Sequence, residues 1–133
     1  DEVLGPAQAA GLDSVFMVTP ITAPQRMKQV AAKTTGFIYT VSLLGVTGSR
    51  DALSGSVEGL VRQLKNLADV PVCVGFGISQ PKQAKKIARL ADGIIVGSAV
   101  IKVIERNKST SGLSGKVARF VKALGRAVHE TRA

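Results

Sequence analysis

The chain has 133 residues, 45% hydrophobic and only 4% aromatic with no Trp, which allows one domain with a modest core of small branched side chains. Eighteen Lys and Arg against nine Asp and Glu leave a formal net charge of +9, and the single cysteine, Cys73, excludes an internal disulfide and fits a reducing compartment. No apolar run approaches the ~20 residues of a membrane span. No leader pattern opens the chain, and its start at Asp1 rather than Met suggests a processed, trimmed or partial chain.

Residues 1 to about 10 read as the tail of a helix. Ser14 to Val18 is the first strand candidate; Thr22 is placed to cap a helix with Pro24 in its first turn and Met27, Val30 and Ala31 on its apolar stripe, stopped by Gly36. Phe37 to Val41 is a second strand, ending at the turn Gly45-Val46-Thr47-Gly48. A Ser- and Gly-rich loop follows to about Ser56, long enough for a lid, and Val57, Leu60, Val61 and Leu64 mark the next helix. Asp69-Val70-Pro71 leads into a third strand, Val72 to Val74, which runs into Gly75-Phe76-Gly77-Ile78-Ser79. Ser79 is expected to cap a Lys-rich helix with Pro81 in its first turn. Gly93 to Val96 is a fourth strand, followed by Gly97-Ser98-Ala99 and a short helix to about Glu105. Asn107 to Gly115 reads as a flexible polar connector, and Val117, Phe120, Val121, Leu124 and Val128 give a closing amphipathic helix.

The order is a repeating strand–turn–helix, with strands that are near-continuous apolar runs, as a parallel sheet buried on both faces requires. Glycines at the strand ends bare backbone N–H groups, and a helix N-terminus behind them favours an anion. Two such turns in succession suggest the phosphate site that (β/α)8 barrels build after their last two strands. The expected class is α/β, residues 1–133 forming a single partial domain with four βα units. Four strands leave two open edges, so the rest of a barrel lies upstream, two copies pair, or the sheet is open; the first is favoured.

Gly36-Phe37-Ile38-Tyr39 through Gly45-Val46-Thr47-Gly48, then Pro71 to Ser79, then Asp92-Gly93 to Ala99, together resemble the C-terminal half of the tryptophan synthase alpha subunit family. The resemblance runs from the strand at Val15 to the last helix; Gly-Phe-Gly-Ile-Ser or Gly-Ser-Ala alone suits other phosphate-binding barrels, and the specificity lies in the combination. It implies strands 5 to 8, with their helices, of a (β/α)8 TIM barrel that cleaves indole-3-glycerol phosphate to indole and glyceraldehyde 3-phosphate by a retro-aldol step with no metal or organic cofactor. It further implies that Gly48, Phe76, Gly77, Gly97 and Ser98 hold the substrate phosphate, that Thr47 orders the mobile loop that holds the catalytic acid, and that Tyr39 supports the indole end. The implied partners are the N-terminal half of the barrel and a beta subunit in an alpha2beta2 complex, which alone carries pyridoxal phosphate; the implied compartment is the cytoplasm, or the plastid in a plant.

Physical chemistry sets alternatives beside each of these. Tyr39 also suits a plain barrel-core aromatic, and Thr47 a loop-stabilising hydrogen bond. The retro-aldol step needs acid–base groups, which the family takes as a Glu and an Asp from its N-terminal half. Asp13, Asp69 and Asp92 precede strands, Glu58, Glu105 and Glu130 fall in or near helices, and Asp51 alone lies in a loop on the active side, so these residues by themselves are expected to be inactive. His129, beside Glu130, reads as a surface residue, and Cys73 as packed in apolar surroundings. Other readings are another phosphate-binding barrel enzyme of amino-acid biosynthesis, a half-barrel that binds without turnover, and, last, a basic nucleic-acid binder. The cations look scattered, and the densest group, Lys82, Lys85, Lys86 and Arg89, lies opposite Ala84, Ile87 and Ala88 with no aromatic interleaved, so neither nucleic acid nor membrane is expected as a partner.

Overall fold

The computed structural model describes residues 2–41, 50–75 and 77–131, without the side chains of 50–56. Helices and strands alternate along it until two helices close the chain: α1 (Leu4–Ala9), β1 (Phe16–Val18), α2 (Pro24–Lys33), β2 (Ile38–Val41), α3 (Arg50–Lys65), β3 (Val72–Gly75), α4 (Pro81–Ala88), β4 (Gly93–Ile95), α5 (Ser98–Asn107) and α6 (Leu113–His129). The strands form one sheet in the order β1-β2-β3-β4, every pair parallel. This is the α/β architecture expected of half a (β/α)8 barrel.

Register sorts the side chains. Val18, Ile38, Thr40, Val72 and Val74 point to one face, where each is fully buried. There they meet Met27 and Val30 of α2, Val57, Leu60, Val61 and Leu64 of α3, Ala84 and Ile87 of α4, and Leu124 and Ala127 of α6. The opposite face carries the row Met17–Tyr39–Cys73–Gly93 and, one pleat on, Val41–Gly75–Ile95. On this inner face Met17 is 59% exposed and Tyr39, Val41, Cys73 and Ile95 are half-buried, so Cys73 is less enclosed than its apolar strand suggested. Among the described residues no helix is long and apolar enough to cross a membrane.

Several local expectations shift, each for a physical reason. Thr22 does not cap α2: its Oγ1 accepts the Thr19 N–H at 3.0 Å, inside the β1–α2 turn, and Ala23 takes the cap position before Pro24. Gly36 does not stop that helix, which ends at Lys33 with Thr34 donating its hydroxyl to the Val30 carbonyl at 2.7 Å. Gly36 instead donates its N–H to the Ser14 carbonyl at 3.1 Å, and an added Cβ would stand 3.2 Å from that of Asp13. Ser79 is displaced as the cap of α4 by Gln80; the Gln83 side-chain oxygen accepts the N–H groups of Ser79 and Gln80 at 2.9 and 3.0 Å. The Ser- and Gly-rich stretch to Ser56 is helical from Arg50, continuous with the part of α3 whose stripe from Val57 to Leu64 is buried, and tertiary packing of that stripe outweighs weak local propensity. That also moves Asp51 from a loop into the first turn of α3. The connector after α5 is shorter than expected and pinned: Lys116 Nζ donates to Asn107 Oδ1 at 2.7 Å and to Thr110 Oγ1 at 3.0 Å, and Gly112, at φ 77°, starts α6.

Two polar groups, one exposed and one buried, test this account. Asp92 closes the bottom of the sheet, its Oδ2 accepting the Val72 N–H at 2.9 Å and its Oδ1 the Lys65 ammonium at 2.7 Å. Asp92→Ala orphans a part-buried backbone donor and should destabilise by about 1–3 kcal/mol in urea unfolding. Thr40 Oγ1, fully buried, has no hydrogen-bond partner among the described residues. Thr40→Val removes that hydroxyl at equal shape and should raise Tm; a fall in Tm would contradict the assignment.

Candidate functional site

The parallel register brings the two glycine turns together. Gly75 pairs with Ile95 at the end of the β3–β4 ladder, so Gly77 and Gly97 each stand two residues beyond the last pair, on neighbouring strands at one end of the sheet. Gly77 adopts φ 74°, the left-handed region, which turns the chain sharply toward α4. Gly97 is the cap residue of α5, and Ser98 its first helical residue. Both glycines and Ser98 are exposed, and Ala99 behind them is buried and anchors the helix.

The two helix N-termini at this end differ. At α4 the Gln83 side chain fills the amides of Ser79 and Gln80. At α5 no side chain caps the helix; Val100 and Ile101 return their N–H groups to the Gly97 carbonyl, and the Ser98 and Ala99 amides have no acceptor among the described residues. A pair of unfilled N–H groups, the Ser98 hydroxyl and the positive end of a ten-residue helix form a neutral anion cradle.

One strand away, Tyr39 lies on the inner face with its ring over Gly75. A Cβ on Gly75 would stand 2.5 Å from Tyr39 Cε2 and 2.6 Å from its hydroxyl oxygen, so the ring occupies the space that a side chain at 75 would need. The next row down repeats the device, with Cys73 Sγ 2.6 Å from where a Gly93 Cβ would be. Glycines on β3 and β4 thus seat larger side chains from the neighbouring strand. Tyr39 reaches the strand end immediately before the Gly77 turn.

The structure therefore gathers Gly77, Gly97 and Ser98, with Tyr39 beside them, while Thr47, Gly48 and Phe76 lie outside the described residues. Sequence reading missed the seat at Gly75 and the cap at Gln83. Gly75 was legible only as a strand end, because its partner depends on the β2–β3 register; the Ser79–Gln83 spacing could have suggested the capping box.

The model of one protein family, described as tryptophan synthase alpha chain, matches residues 1–129. The chain belongs to this family. It is 44% identical over 122 residues to the tryptophan synthase alpha chain of Geobacter sulfurreducens, covering 92% of this chain and 46% of that relative. It is 40% identical over 133 residues to the Novosphingobium aromaticivorans alpha chain, covering 99% of this chain and 49% of the other. Among solved structures, tryptophan synthase subunit alpha from Legionella pneumophila superposes with a TM-score of 0.81 at 28% identity, over 98% of this chain and 47% of that one. The chain thus spans about half the length of the tryptophan synthase alpha chains it matches.

The seat at Gly75 makes a double-mutant prediction. Gly75→Ala alone should lower Tm by several degrees, because a sub-van-der-Waals contact with the Tyr39 ring forces overpacking worth roughly 1–3 kcal/mol. Combined with Tyr39→Ala, which vacates the space, the penalty of Gly75→Ala should largely vanish; additive losses would mean the two residues do not share that space.

Proposed function

We propose that this chain supplies the phosphate-binding half of a tryptophan synthase alpha-type lyase of tryptophan biosynthesis, as a single partial domain over residues 1–133. The substrate is indole-3-glycerol phosphate, cleaved by a retro-aldol step to indole and glyceraldehyde 3-phosphate. The observation that carries this reading is the pair of unfilled amides at Ser98 and Ala99, opposite the Gly77 turn, in a chain of this family. Gly77, Gly97 and Ser98 hold the phosphate through backbone N–H groups and one hydroxyl, with Gly48 and Phe76 completing the cradle. Such a cradle orients a dianion by fixed dipoles and leaves the reacting end free to project over the inner face of the sheet toward Tyr39.

The same reading places the acid–base chemistry outside these residues. Asp13, Asp69 and Asp92 precede β1, β3 and β4, at the end of the sheet opposite the cradle. Glu58 pairs with Arg62 along α3 at 3.1 Å. Protonating the indole ring and drawing the proton from the glycerol hydroxyl therefore fall to carboxylates of the N-terminal half, with Thr47 ordering the loop that closes over them and Tyr39 supporting the indole end. The step needs no metal or organic cofactor, and pyridoxal phosphate belongs to a beta subunit that receives the indole. A complex with that subunit in the cytoplasm, or in a plastid if the source is a plant, completes the proposal.

Glycerol 3-phosphate should raise the Tm of this chain in a concentration-dependent way, through binding to the folded state alone. Ser98→Glu, which sets a carboxylate in the cradle, should abolish that rise without lowering the Tm of the free protein; an unchanged rise would refute the phosphate assignment. Incubated with indole-3-glycerol phosphate, the 133-residue chain should release no indole above the uncatalysed blank. Indole release would overturn the placement of the acid–base groups.

A further inference from the structure

The cations look scattered along the sequence, but their excess is not. Residues 81–129 hold eleven Lys and Arg against two carboxylates, Asp92 and Glu105, an excess of nine that equals the net charge of the whole chain. Asp92 is already engaged by Lys65 and the Val72 amide. The fold then sets much of this excess on one surface. Lys82, Lys85, Lys86 and Arg89 run along α4 and its C-cap, on the face opposite the buried Ala84, Ile87 and Ala88. Arg119, Lys122 and Arg126 run along α6, opposite the buried Leu124 and Ala127. All seven are exposed, none has an ion-pair partner among the described residues, and the two helices pack against each other. Each row is about 10 Å long, and packed helix axes lie roughly 8–10 Å apart, so the rows form one outward-facing basic surface.

We propose that this α4–α6 face is a docking surface for the phosphodiester backbone of a nucleic-acid duplex, bound without base readout. Charge complementarity selects the occupant. A duplex presents one phosphate charge per ~1.7 Å of axis, a density that two close rows of unpaired cations match by counterion release. The face carries Val121 as its one large exposed hydrophobic residue and has no exposed aromatic, so it lacks the apolar centre that a protein interface needs and the wedge that a membrane-surface helix inserts. The absence of aromatics likewise argues against single strands, which are held by stacking. Glu130, at the end of the α6 row, bounds the surface.

The test is fluorescence anisotropy of a labelled 20-base-pair duplex of arbitrary sequence against the 133-residue chain, titrated from 50 to 200 mM salt. Binding should be independent of sequence, with a log–log salt slope of about −4 to −6 from five to seven phosphate contacts. Lys82→Glu/Lys85→Glu/Arg89→Glu should flatten the slope by about 3 and weaken binding at 50 mM salt at least tenfold. Arg26→Glu/Lys28→Glu/Lys33→Glu on α2 changes the net charge equally and should leave most of the affinity; circular dichroism melts establish that each variant folds, and lysine-to-glutamine versions replace any that does not. Equal losses from the two triple variants would reduce the effect to bulk charge and overturn the proposal. A flat salt response would also overturn it, as would tighter binding to polyglutamate or to phosphatidylserine vesicles than to the duplex.

Discussion

Parallel register is the constraint on which everything else in this molecule rests. With β1 to β4 side by side and running the same way, each strand must return to the bottom of the sheet through a helix, and the connecting helices α2, α3 and α4 come onto one outer face, where α6 joins them. Burial follows from that. Val18, Ile38, Thr40, Val72 and Val74 become the floor of a helix layer, and the alternate residues Met17, Tyr39, Cys73 and Gly93 become an inner face with a different chemistry. A slip of one residue in any strand would exchange the two sets.

The same constraint builds the site. All four strands end at one edge, so turns far apart in sequence, at Gly77 and Gly97, become neighbours there. What separates a structural turn from a binding one is then a small matter of hydrogen-bond accounting. At α4 a glutamine side chain occupies the leading amides, whereas at α5 glycine at the cap and no side-chain acceptor leave them open. Amides left open at a helix N-terminus attract an anion, and the inner face supplies a ring, Tyr39, whose position depends on the missing side chain of Gly75. The two kinds of glycine are constrained differently: Gly77 by its left-handed φ of 74°, and Gly75 by the Tyr39 ring, which a side chain at 75 would have to displace.

The opposite end of the sheet is organised for stability. Asp92, which the sequence placed before a strand and therefore away from the chemistry, ties the starts of β3 and β4 to the end of α3 through the Val72 amide and the Lys65 ammonium. The outer surface shows a third division of labour. Residues 81–129 carry a charge excess equal to that of the whole chain, and seven of their cations line the exposed α4–α6 face.

The alternation of apolar runs with helical stripes, the glycine turns and their order determined the α/β class and the family by themselves, because periodicity and turn chemistry are local and survive in one dimension. Strand and helix interiors such as Val72 to Val74 and Leu60 to Leu64 were legible for that reason. Helix starts were not: Thr22 and Ser79 have the right side chains to cap, but which donor they face depends on how the chain enters the turn, and Ala23 and Gln80 take the cap positions while Thr22 accepts the Thr19 N–H and Gln83 the Ser79 N–H. The Ser-Gly stretch inside α3 reads as loop because its own propensity is weak, yet it is helical as the leading part of the helix that buries Val57 to Leu64. Only the tertiary structure decided which helix N-terminus stays open, which residue leans on Gly75 and which cations share a surface. Each of these is a relation between residues of different strands or helices, fixed by register and packing, and no single segment contains both partners.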